Sequence, residues 1–181
     1  MLENAMIPTL ETERLRLRAW RVSDFDAYLS LATRADLQQY VIGGAKDREA
    51  AWNDFCAISG QWLLRGVGAF LVADKKTDAP RGFAGLWYPL DIEVPELCWS
   101  LFPGSTGNGY ATEAASAARA WVYRHRPYQR LVSYIHPDNT ASCAVAERLG
   151  AELKDRIRLY GHPRLVYAHP PASAMDVSRL Q

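Results

Sequence analysis

The chain carries almost no excess of charge. Its 181 residues include 21 lysines and arginines against 20 aspartates and glutamates, which leaves a formal net charge of +1. Proteins that bind nucleic acids concentrate a basic excess on one surface, so this balance argues against that class. We therefore predict no nucleic-acid partner, and nothing in the charge implies a strongly anionic substrate.

Cysteine and long apolar runs are also scarce. The cysteines, Cys56, Cys98 and Cys143, form no CxxC pair, and two lie in apolar patterns, which predicts buried, reduced thiols rather than a disulfide framework. No run is apolar and long enough to span a membrane, and residues 1–9 have neither the basic nor the apolar region of a signal peptide. These absences predict a cytoplasmic protein with no membrane partner. No metal-ligand spacing is present, so no metal is expected.

What remains is the composition of an ordinary globular protein. Hydrophobic residues make up 49% of the chain, and its length suffices for one domain with a sizeable core. Strands and helices are predicted from period-two and helical spacing of apolar residues. In order they are a strand at 13–19, a helix beginning near Ser23, a helix at 47–64, strands at 68–73, 82–88 and 96–102, a helix at 110–123, a strand at 130–135, a helix at 139–149, and a hairpin of 152–160 and 164–169.

This order, β-α-α-β-β-β-α-β-α-β-β, predicts an α+β fold with a mixed, mostly antiparallel sheet of seven strands and about four helices. The helix between strands 96–102 and 130–135 requires those two strands to be parallel. The hairpin is expected to turn at 161–163, and the residues from about Pro170 to be frayed. In the first strand the arginines should point outward, and helix 47–64 should bury one stripe consisting of Trp52, Phe55, Cys56, Ser59, Trp62 and Leu63.

The most informative segment runs from Ser105 to Ala114, between strand 96–102 and the following helix. Gly107 and Gly109 allow a tight turn and the close approach of a ligand. The first N–H groups of a helix lack partners, and the helix dipole is positive at that end, which favours phosphate groups. The segment therefore predicts a site for a phosphorylated cofactor, although a turn without a ligand has the same local pattern.

Three segments together resemble a known family. Residues 9–18 (TLETERLRLR), 107–114 (GNGYATEA) and 137–150 (PDNTASCAVAERLG) are similar, in order and spacing, to the GNAT superfamily of acyl-CoA N-acyltransferases. Within it, the chain resembles the branch of ribosomal-protein N-terminal acetyltransferases. The resemblance covers about residues 8–169. It implies a single N-acetyltransferase domain over residues 1–181, with acetyl-CoA as cosubstrate and no metal.

The resemblance also implies which residues hold the cofactor. Backbone groups of Trp99, Ser100 and Leu101 would bind the pantetheine, in a gap where their strand splays away from strand 130–135. Asn139 would contact the cofactor arm, although it is also a suitable helix N-cap. Amides of the glycine loop and first helical turn would hold the pyrophosphate, and these belong to Thr106, Gly107, Asn108, Gly109, Tyr110, Ala111 and Thr112.

Acyl transfer to an amine needs a proton acceptor and a partner for the leaving sulfur. Glu96 is the candidate for the first role, directly or through water, and Ser142 for the second. The alternatives are an exposed strand-end charge and a serine that bonds its own backbone. The candidate acceptor-binding residues are Tyr40, Trp87 and Tyr88.

The chain departs from the superfamily pattern at several positions. Thr106 stands where Arg or Gln is common, Ala146 where many members have a general-acid Tyr, and Ile157 where some relatives have a Glu. These departures leave open a non-catalytic acyl-CoA-binding or sensor domain. A dinucleotide enzyme is less favoured, because Thr112 replaces the third glycine of GxGxxG. The acceptor, a protein N-terminus or a small amine, and the oligomeric state, a monomer or homodimer, both stay open.

Overall fold

The described part of the chain is built on one mixed sheet. The computed structural model describes residues 7–126, 128 and 130–171. Within them, eight strands form the sheet and five α-helices accompany it, so the predicted α+β class is confirmed. The strands are β1 (Leu10–Glu11), β2 (Leu15–Arg18), β3 (Ala69–Asp74), β4 (Pro80–Trp87), β5 (Glu96–Leu101), β6 (Val132–Ile135), β7 (Glu152–Leu159) and β8 (His162–Ala168). The helices are α1 (Phe25–Ala32), α2 (Ala35–Gln38), α3 (Arg48–Arg65), α4 (Tyr110–His125) and α5 (Thr140–Arg148).

The sheet has the strand order β1-β2-β3-β4-β5-β6-β8-β7. All neighbouring strands are antiparallel except β5 and β6, which are parallel and joined through α4. The predicted strand–helix–strand crossover is thus confirmed. Because β5 and β6 are parallel neighbours at the centre of the sheet, the residues that follow them lie at the same end of the sheet.

The two faces of the sheet pack against different helices. On one face, Leu71 of β3 packs with Phe25 of α1 and Phe55 of α3. On the other face, α4 presents small side chains such as Ala114, which lie against Leu17 and its neighbours. Alanine brings the helix backbone close to the sheet, and this fixes the position of the first turn of α4.

Two short elements escape sequence prediction: β1, with two residues, and α2, with four. The stripe predicted for α3 is wrong in part, since Trp52 and Leu63 are 39% and 63% exposed and Cys56 is exposed. The buried row instead consists of residues 51, 55 and 62, with residue 58 partly buried beside them. It lies one residue before the row formed by 52, 56, 59 and 63. Both rows have helical spacing, so periodicity alone does not choose between them.

Arg18 is a further correction, because it is buried rather than exposed. Its guanidinium makes two hydrogen bonds to the Asp24 carboxylate, of 2.8 and 2.9 Å, and a third of 3.1 Å to Asp78. Asp24 also accepts a 2.7 Å bond from the backbone N–H of Arg21. This buried pair ties the end of β2 to the 3-10 turn (Val22–Asp24) that leads into α1.

The hairpin turn also differs from the prediction. The turn residues are Tyr160 and Gly161, with φ of 48° and 81°, so His162 and Pro163 belong to β8. Two consecutive positive φ values are typical of the two-residue turns that match strand twist. The predicted fraying beyond about Pro170 falls almost entirely outside the described residues. Among the helices that the structure describes, none combines the length and apolar character needed to cross a bilayer.

Gly85 provides a test of the packing between β3 and β4. A Cβ added there would lie 2.4 Å from the carbonyl oxygen of Gly68, and its φ of 148° is a conformation reserved for glycine. We expect Gly85→Ala to lower the free energy of unfolding by about 2–3 kcal/mol, measured by urea denaturation.

The matched control is Gly60→Ala, inside α3, where an added Cβ meets nothing within 4 Å. This change should raise the free energy of unfolding by roughly 0.5–1 kcal/mol, since alanine is the better helix former. Equal effects of the two substitutions would contradict the close approach of β3 and β4.

Candidate active site

β5 and β6 lie side by side only where they begin. Glu96 and Val132 form the single registered pair between these two fully described strands, and the N–H of Val132 donates to the carbonyl of Pro95 over 3.3 Å. On its opposite edge, β6 pairs along its whole length with β8. The two parallel strands therefore form a fork, which we call the β5–β6 fork, and it agrees with the predicted splay.

The glycine loop follows β5 and leads into α4. Gly107 and Gly109 have φ of 81° and 77°, and Gly109 is the N-cap of the helix without a side-chain cap. In the part of the chain that the structure describes, the N–H groups of residues 106–112 have no hydrogen-bond acceptor. The loop itself is exposed, and a Cβ added at Gly107 would extend into open space. These free donors at the positive end of a 16-residue helix form a cradle for an anion.

The side chain of Asn108 serves the loop itself. It donates to the carbonyl of Thr106 over 3.0 Å, and Ser105 is buried with its N–H bonded to the carbonyl of Phe102. The Asn108 side-chain amide is thus engaged within the loop, and its predicted contact with a cofactor stays a prediction. Thr106, at the position where Arg or Gln is common in the superfamily, is exposed.

Glu113, in the first turn of α4, binds the segment before β2. Its carboxylate accepts hydrogen bonds from the Thr12 hydroxyl (2.5 Å), the Arg14 N–H (3.0 Å) and the Arg14 Nε (2.8 Å). Partial burial opposes ionisation, but these donors hold the pKa of Glu113 below its usual value. The Arg14 guanidinium lies over the Tyr110 ring at 4.9 Å. Glu113 thus holds the start of α4 against the sheet, in addition to the favourable interaction of a first-turn carboxylate with the helix dipole.

Glu96 begins β5 and lies beside Trp87, its registered partner on β4. The carboxyl group is partly buried, and desolvation raises its pKa to about 7 despite a backbone hydrogen bond from Tyr134 and the positive charge of Arg164. A carboxyl group of this pKa exchanges protons near neutrality, which suits a general base. Glu96 is thus partly buried rather than an exposed strand-end charge, and its role stays a prediction.

Arg164, whose charge acts on Glu96, connects it with parts of the chain that are distant in sequence. Arg164 of β8 is buried, and its guanidinium donates to the carbonyl of Tyr40 over 3.1 Å. The Tyr40 ring stacks on His136, which follows β6, with centroids 5.2 Å apart. Arg164 and Tyr134 were not identified as site residues from the sequence, because a lone arginine or tyrosine in an apolar strand has no distinctive local pattern.

α5 lies beyond the end of β6. Asn139 is its N-cap, and its side chain accepts a 3.1 Å bond from the N–H of Ser142. The capping role of Asn139 is confirmed, while its contact with a cofactor stays a prediction. Ser142 is partly exposed in the first turn, whereas Ala146, at the position where many members have tyrosine, is fully buried.

The remaining predicted residues divide between the two faces of β5. Trp99 packs among the core residues on the α4 side, and Ser100 and Leu101 lead toward the glycine loop. Burial and the neighbouring Glu96 raise the pKa of the Cys98 thiol above its ordinary value. Because only a thiolate is a good nucleophile, an acyl-cysteine route at Cys98 is disfavoured.

Tyr88 is placed apart from Glu96. Its N–H donates to the Gln61 side chain over 2.9 Å, and its ring contacts Arg65 and Tyr128. Trp87 is therefore the residue of this predicted pair that the structure brings next to Glu96. Within residues 7–126, 128 and 130–171, no group of three His, Cys, Asp or Glu side chains is arranged to hold a metal ion.

The sheet forks between two parallel strands and carries a glycine loop after one of them, which agrees with the acyltransferase type of fold that the resemblance implied. The sequence profile of the acetyltransferase (GNAT) domain matches residues 14–152. An acetyltransferase from Agrobacterium tumefaciens has a similar structure, with a TM-score of 0.82, 36% identity, and coverage of 91% of this chain and 95% of that one. The protein YkkB of Bacillus subtilis is 30% identical over 164 residues, which are 87% of this chain and 93% of YkkB.

The fold is also shared with RimL, a ribosomal L7/L12 alpha-N-protein acetyltransferase solved in complex with coenzyme A. Here the TM-score is 0.74 at 22% identity, and the match covers 92% of this chain and 99% of RimL. The chain belongs to the GNAT acetyltransferase family.

The hydrogen bonds of Glu113 provide a test of how the cradle is held. We expect Glu113→Gln to lower the Tm by about 2–4 °C, because the amide replaces a carboxylate that binds three donors. The measurement is calorimetric unfolding at neutral pH.

Glu11→Gln is the matched control, since Glu11 pairs with Arg16 and Lys75 on the exposed edge of the same sheet. A surface ion pair contributes little to stability, so the Tm of Glu11→Gln should stay near that of the unmodified protein. A loss as large as that of Glu113→Gln would indicate a general effect of charge instead.

Proposed function

We propose that this protein is an N-acetyltransferase that transfers an acetyl group from acetyl-CoA to a primary amine by direct transfer in a ternary complex. Membership of the GNAT family supports acetyl transfer. One observation carries the proposal. Glu96, with a pKa of about 7, begins β5, and the glycine loop with its free N–H groups follows the end of the same strand.

The residues of the loop fit a phosphorylated cosubstrate. The free N–H groups of residues 106–112 match the charge of a pyrophosphate, and the open space at Gly107 leaves room for close approach. Acetyl-CoA, when bound, supplies the acetyl group as an activated thioester. The coenzyme A complex of RimL supports this choice by analogy of fold.

Glu96 is proposed as the proton acceptor. A primary amine is mostly protonated near neutral pH and attacks a carbonyl only after it loses a proton. Glu96, with a pKa of about 7, is about half ionised at that pH and takes the proton directly or through a water. Arg164 carries a charge that disfavours a second cation nearby, which promotes the neutral form of the amine.

Ser142 is proposed as the hydrogen-bond donor to the leaving group. Its hydroxyl lies in the first turn of α5, where Asn139 fixes the backbone through the bond to the Ser142 N–H. Backbone N–H groups at the fork are the candidate donors to a developing oxyanion. Holding the two reactants in one cleft supplies a further part of the acceleration.

The acceptor is proposed to be an amine in a partly apolar setting, either a protein N-terminus or a small molecule. Trp87 is paired with Glu96 across β4 and β5, and the Tyr40 carbonyl binds Arg164, so the rings of Trp87 and Tyr40 are the candidate aromatic surface for the acceptor. The ribosomal-protein substrates of RimL favour the first acceptor class by analogy. A non-catalytic acyl-CoA-binding domain is the second candidate, which the buried Ala146 favours because it removes the usual tyrosine.

The cradle is tested by calorimetric titration with acetyl-CoA, with NAD and ATP as comparison ligands. We expect selective binding of acetyl-CoA, weakened about tenfold or more by Gly107→Ala, whose Cβ would occupy the open cradle. The reason is steric, because the phosphate must approach the backbone closely.

Gly161→Ala is the control, since Gly161 has the same φ of 81° and an equally open Cβ position, but lies in the β7–β8 turn. Backbone strain is therefore equal in the two variants. If a folded protein fails to bind acetyl-CoA at millimolar concentration, the cofactor assignment is wrong.

The base is tested by the pH profile of kcat/KM with a panel of peptide and small-molecule amines. We expect activity to rise with pH through about 7, as Glu96 ionises, and Glu96→Gln to lower kcat/KM by roughly 10²-fold and remove that limb. Glu93→Gln, on the exposed loop before β5, should leave the profile unchanged.

Tight acetyl-CoA binding without turnover of any amine would favour the non-catalytic candidate. If kcat/KM of Glu96→Gln still rises with pH through about 7, Glu96 is not the base.

A further inference from the structure

A buried polar network joins the two strands of the β5–β6 fork. It consists of Arg119 on α4, His169 after β8 and Ser133 on β6, which are 6%, 5% and 2% exposed. Arg119 lies 3.2 Å from His169 Nδ1, and His169 Nε2 lies 2.9 Å from the Ser133 hydroxyl. That hydroxyl is 2.5 Å from the carbonyl oxygen of Leu97 on β5. None of these side chains has a role in the chemistry proposed above.

The chemistry of the groups fixes the direction of every hydrogen bond in this network. A guanidinium only donates, so His169 Nδ1 accepts from Arg119 and the proton of the neutral ring is on Nε2. Nε2–H therefore donates to Ser133 Oγ, and the Ser133 proton is left for the Leu97 carbonyl. Burial, together with the Arg119 charge, lowers the pKa of His169 to about 3, which agrees with a neutral ring.

The network is anchored to the backbone on both sides of His169. The Arg119 guanidinium also donates to the carbonyl of Leu149, where α5 ends, over 2.7 Å. The backbone N–H of His169 donates to the carbonyl of Leu131, just before β6, over 2.9 Å. The imidazole is therefore held through its ring and through its own main chain, and the Ser133 hydroxyl receives its donor from a fixed direction.

The Ser133 hydroxyl binds β5 at the point where the β5–β6 ladder would continue. The N–H of Val132 donates to Pro95, and in a regular parallel ladder the next N–H of β6, that of residue 134, would donate to the Leu97 carbonyl. The registered pairing of these two fully described strands stops before that bond. The Leu97 carbonyl accepts from the Ser133 side chain, so the ladder ends without an unsatisfied oxygen in the core.

The early end of the ladder leaves the next stretch of β5 open. Backbone groups of a strand face its two neighbours alternately, and the carbonyl of Leu97 faces β6, so the groups of Trp99 face the same way. Between the two fully described strands, Trp99 has no registered partner on β6. Its N–H and carbonyl are therefore the first groups of β5 that a ligand in the fork can bind.

We propose that Ser133, held by His169 and Arg119, is the positioning residue of the fork. Its hydroxyl takes the Leu97 carbonyl in place of a backbone N–H of β6, ends the ladder there and keeps the backbone of Trp99 free for the arm of the cosubstrate. The last step rests on the proposed function, in which the fork receives acetyl-CoA. The proposal also accounts for a buried arginine on a helix face that otherwise packs through alanines.

The test is Ser133→Ala, examined by NMR without any ligand and by calorimetric titration with acetyl-CoA. The Leu97 carbonyl then loses its side-chain donor, so we expect the N–H of residue 134 to bind it and the ladder to lengthen. The signature is a scalar coupling across that hydrogen bond, from the amide nitrogen of residue 134 to the carbonyl carbon of Leu97. The lengthened ladder narrows the fork, so the Kd of acetyl-CoA should rise about tenfold.

Two variants serve as controls. Ser133→Thr keeps the hydroxyl and should match the unmodified protein in both measurements. Ser59→Ala removes a similar bond within α3, from the Ser59 hydroxyl to the Phe55 carbonyl over 2.8 Å, and should change neither measurement. If a folded Ser133→Ala protein shows no new coupling at residue 134, or binds acetyl-CoA as tightly as an unmodified protein that does bind it, the proposal is wrong.

A further measurement needs no variant, and it decides the proposal if Ser133→Ala does not fold. In the unmodified protein the Ser133 hydroxyl proton should exchange slowly with water and should couple to the Leu97 carbonyl carbon. Nitrogen-15 NMR should show His169 as the neutral ring with its proton on Nε2. A proton on His169 Nδ1, or a coupling from the N–H of residue 134 to Leu97 in the unmodified protein, would overturn the proposal.

The NMR measurements require neither acetyl-CoA nor turnover, so they separate this proposal from the proposed function. If the unmodified protein does not bind acetyl-CoA, the proposed function fails, while the couplings still show whether Ser133 ends the ladder. If the unmodified protein binds acetyl-CoA and the ladder of Ser133→Ala does not lengthen, the proposed function stands and the role of Ser133 fails.

Discussion

The arrangement of this protein depends on the incomplete pairing of two parallel strands. β5 and β6 share one registered pair, Glu96 with Val132, and then part. A parallel ladder that stops early leaves backbone groups without partners, and such groups are costly unless they are satisfied in another way. Here the Ser133 hydroxyl donates to the Leu97 carbonyl over 2.5 Å and so satisfies one of these groups. The fork is therefore a hydrogen-bonded structure in its own right.

The glycine loop is held by contacts of a different kind. Its own backbone offers free N–H groups, and the bonds of Asn108 and Ser105 within the loop are supplemented from outside by Glu113 and the segment that contains Thr12 and Arg14. The first strand region of the chain thus supports the loop that follows the fifth strand. This gives a physical reason for the resemblance of residues 9–18 to the family pattern, because Thr12 and Arg14 in that segment both bind the Glu113 carboxylate.

Much of the fold could be predicted from the sequence, because its longer elements have clear periodicity. The crossover through α4 and the loop at 105–109 follow from apolar strands, alanines and glycines that are close in sequence. The burial of Arg18 could not be predicted. The alternation of residues in β2 predicts an exposed arginine and does not show that the Asp24 carboxylate binds it. The same limit applies to α3, where two rows of apolar residues have equal spacing and only packing selects one.

The candidate site divides along similar lines. Its cofactor half is a continuous segment from β5 to α4, and local pattern identifies it. Its acceptor half joins Tyr40, Glu96, Tyr134 and Arg164, which are far apart in the chain, and tertiary contacts alone bring them together. Glu96 and Tyr40 could be named as candidates from the sequence, whereas Tyr134 and Arg164 become candidates only once β6 and β8 are seen to pair.

The bond between Arg164 and residue 40 has a consequence for how acceptor preference can change. Arg164 donates to the main-chain carbonyl of Tyr40, and the side chain of Tyr40 takes no part in that bond. The loop between α2 and α3 is thus anchored independently of which amino acid occupies position 40. Under the proposed function, a substitution at position 40 would alter the surface that meets the amine and keep the anchor, so that specificity could change by single substitutions without loss of this bond.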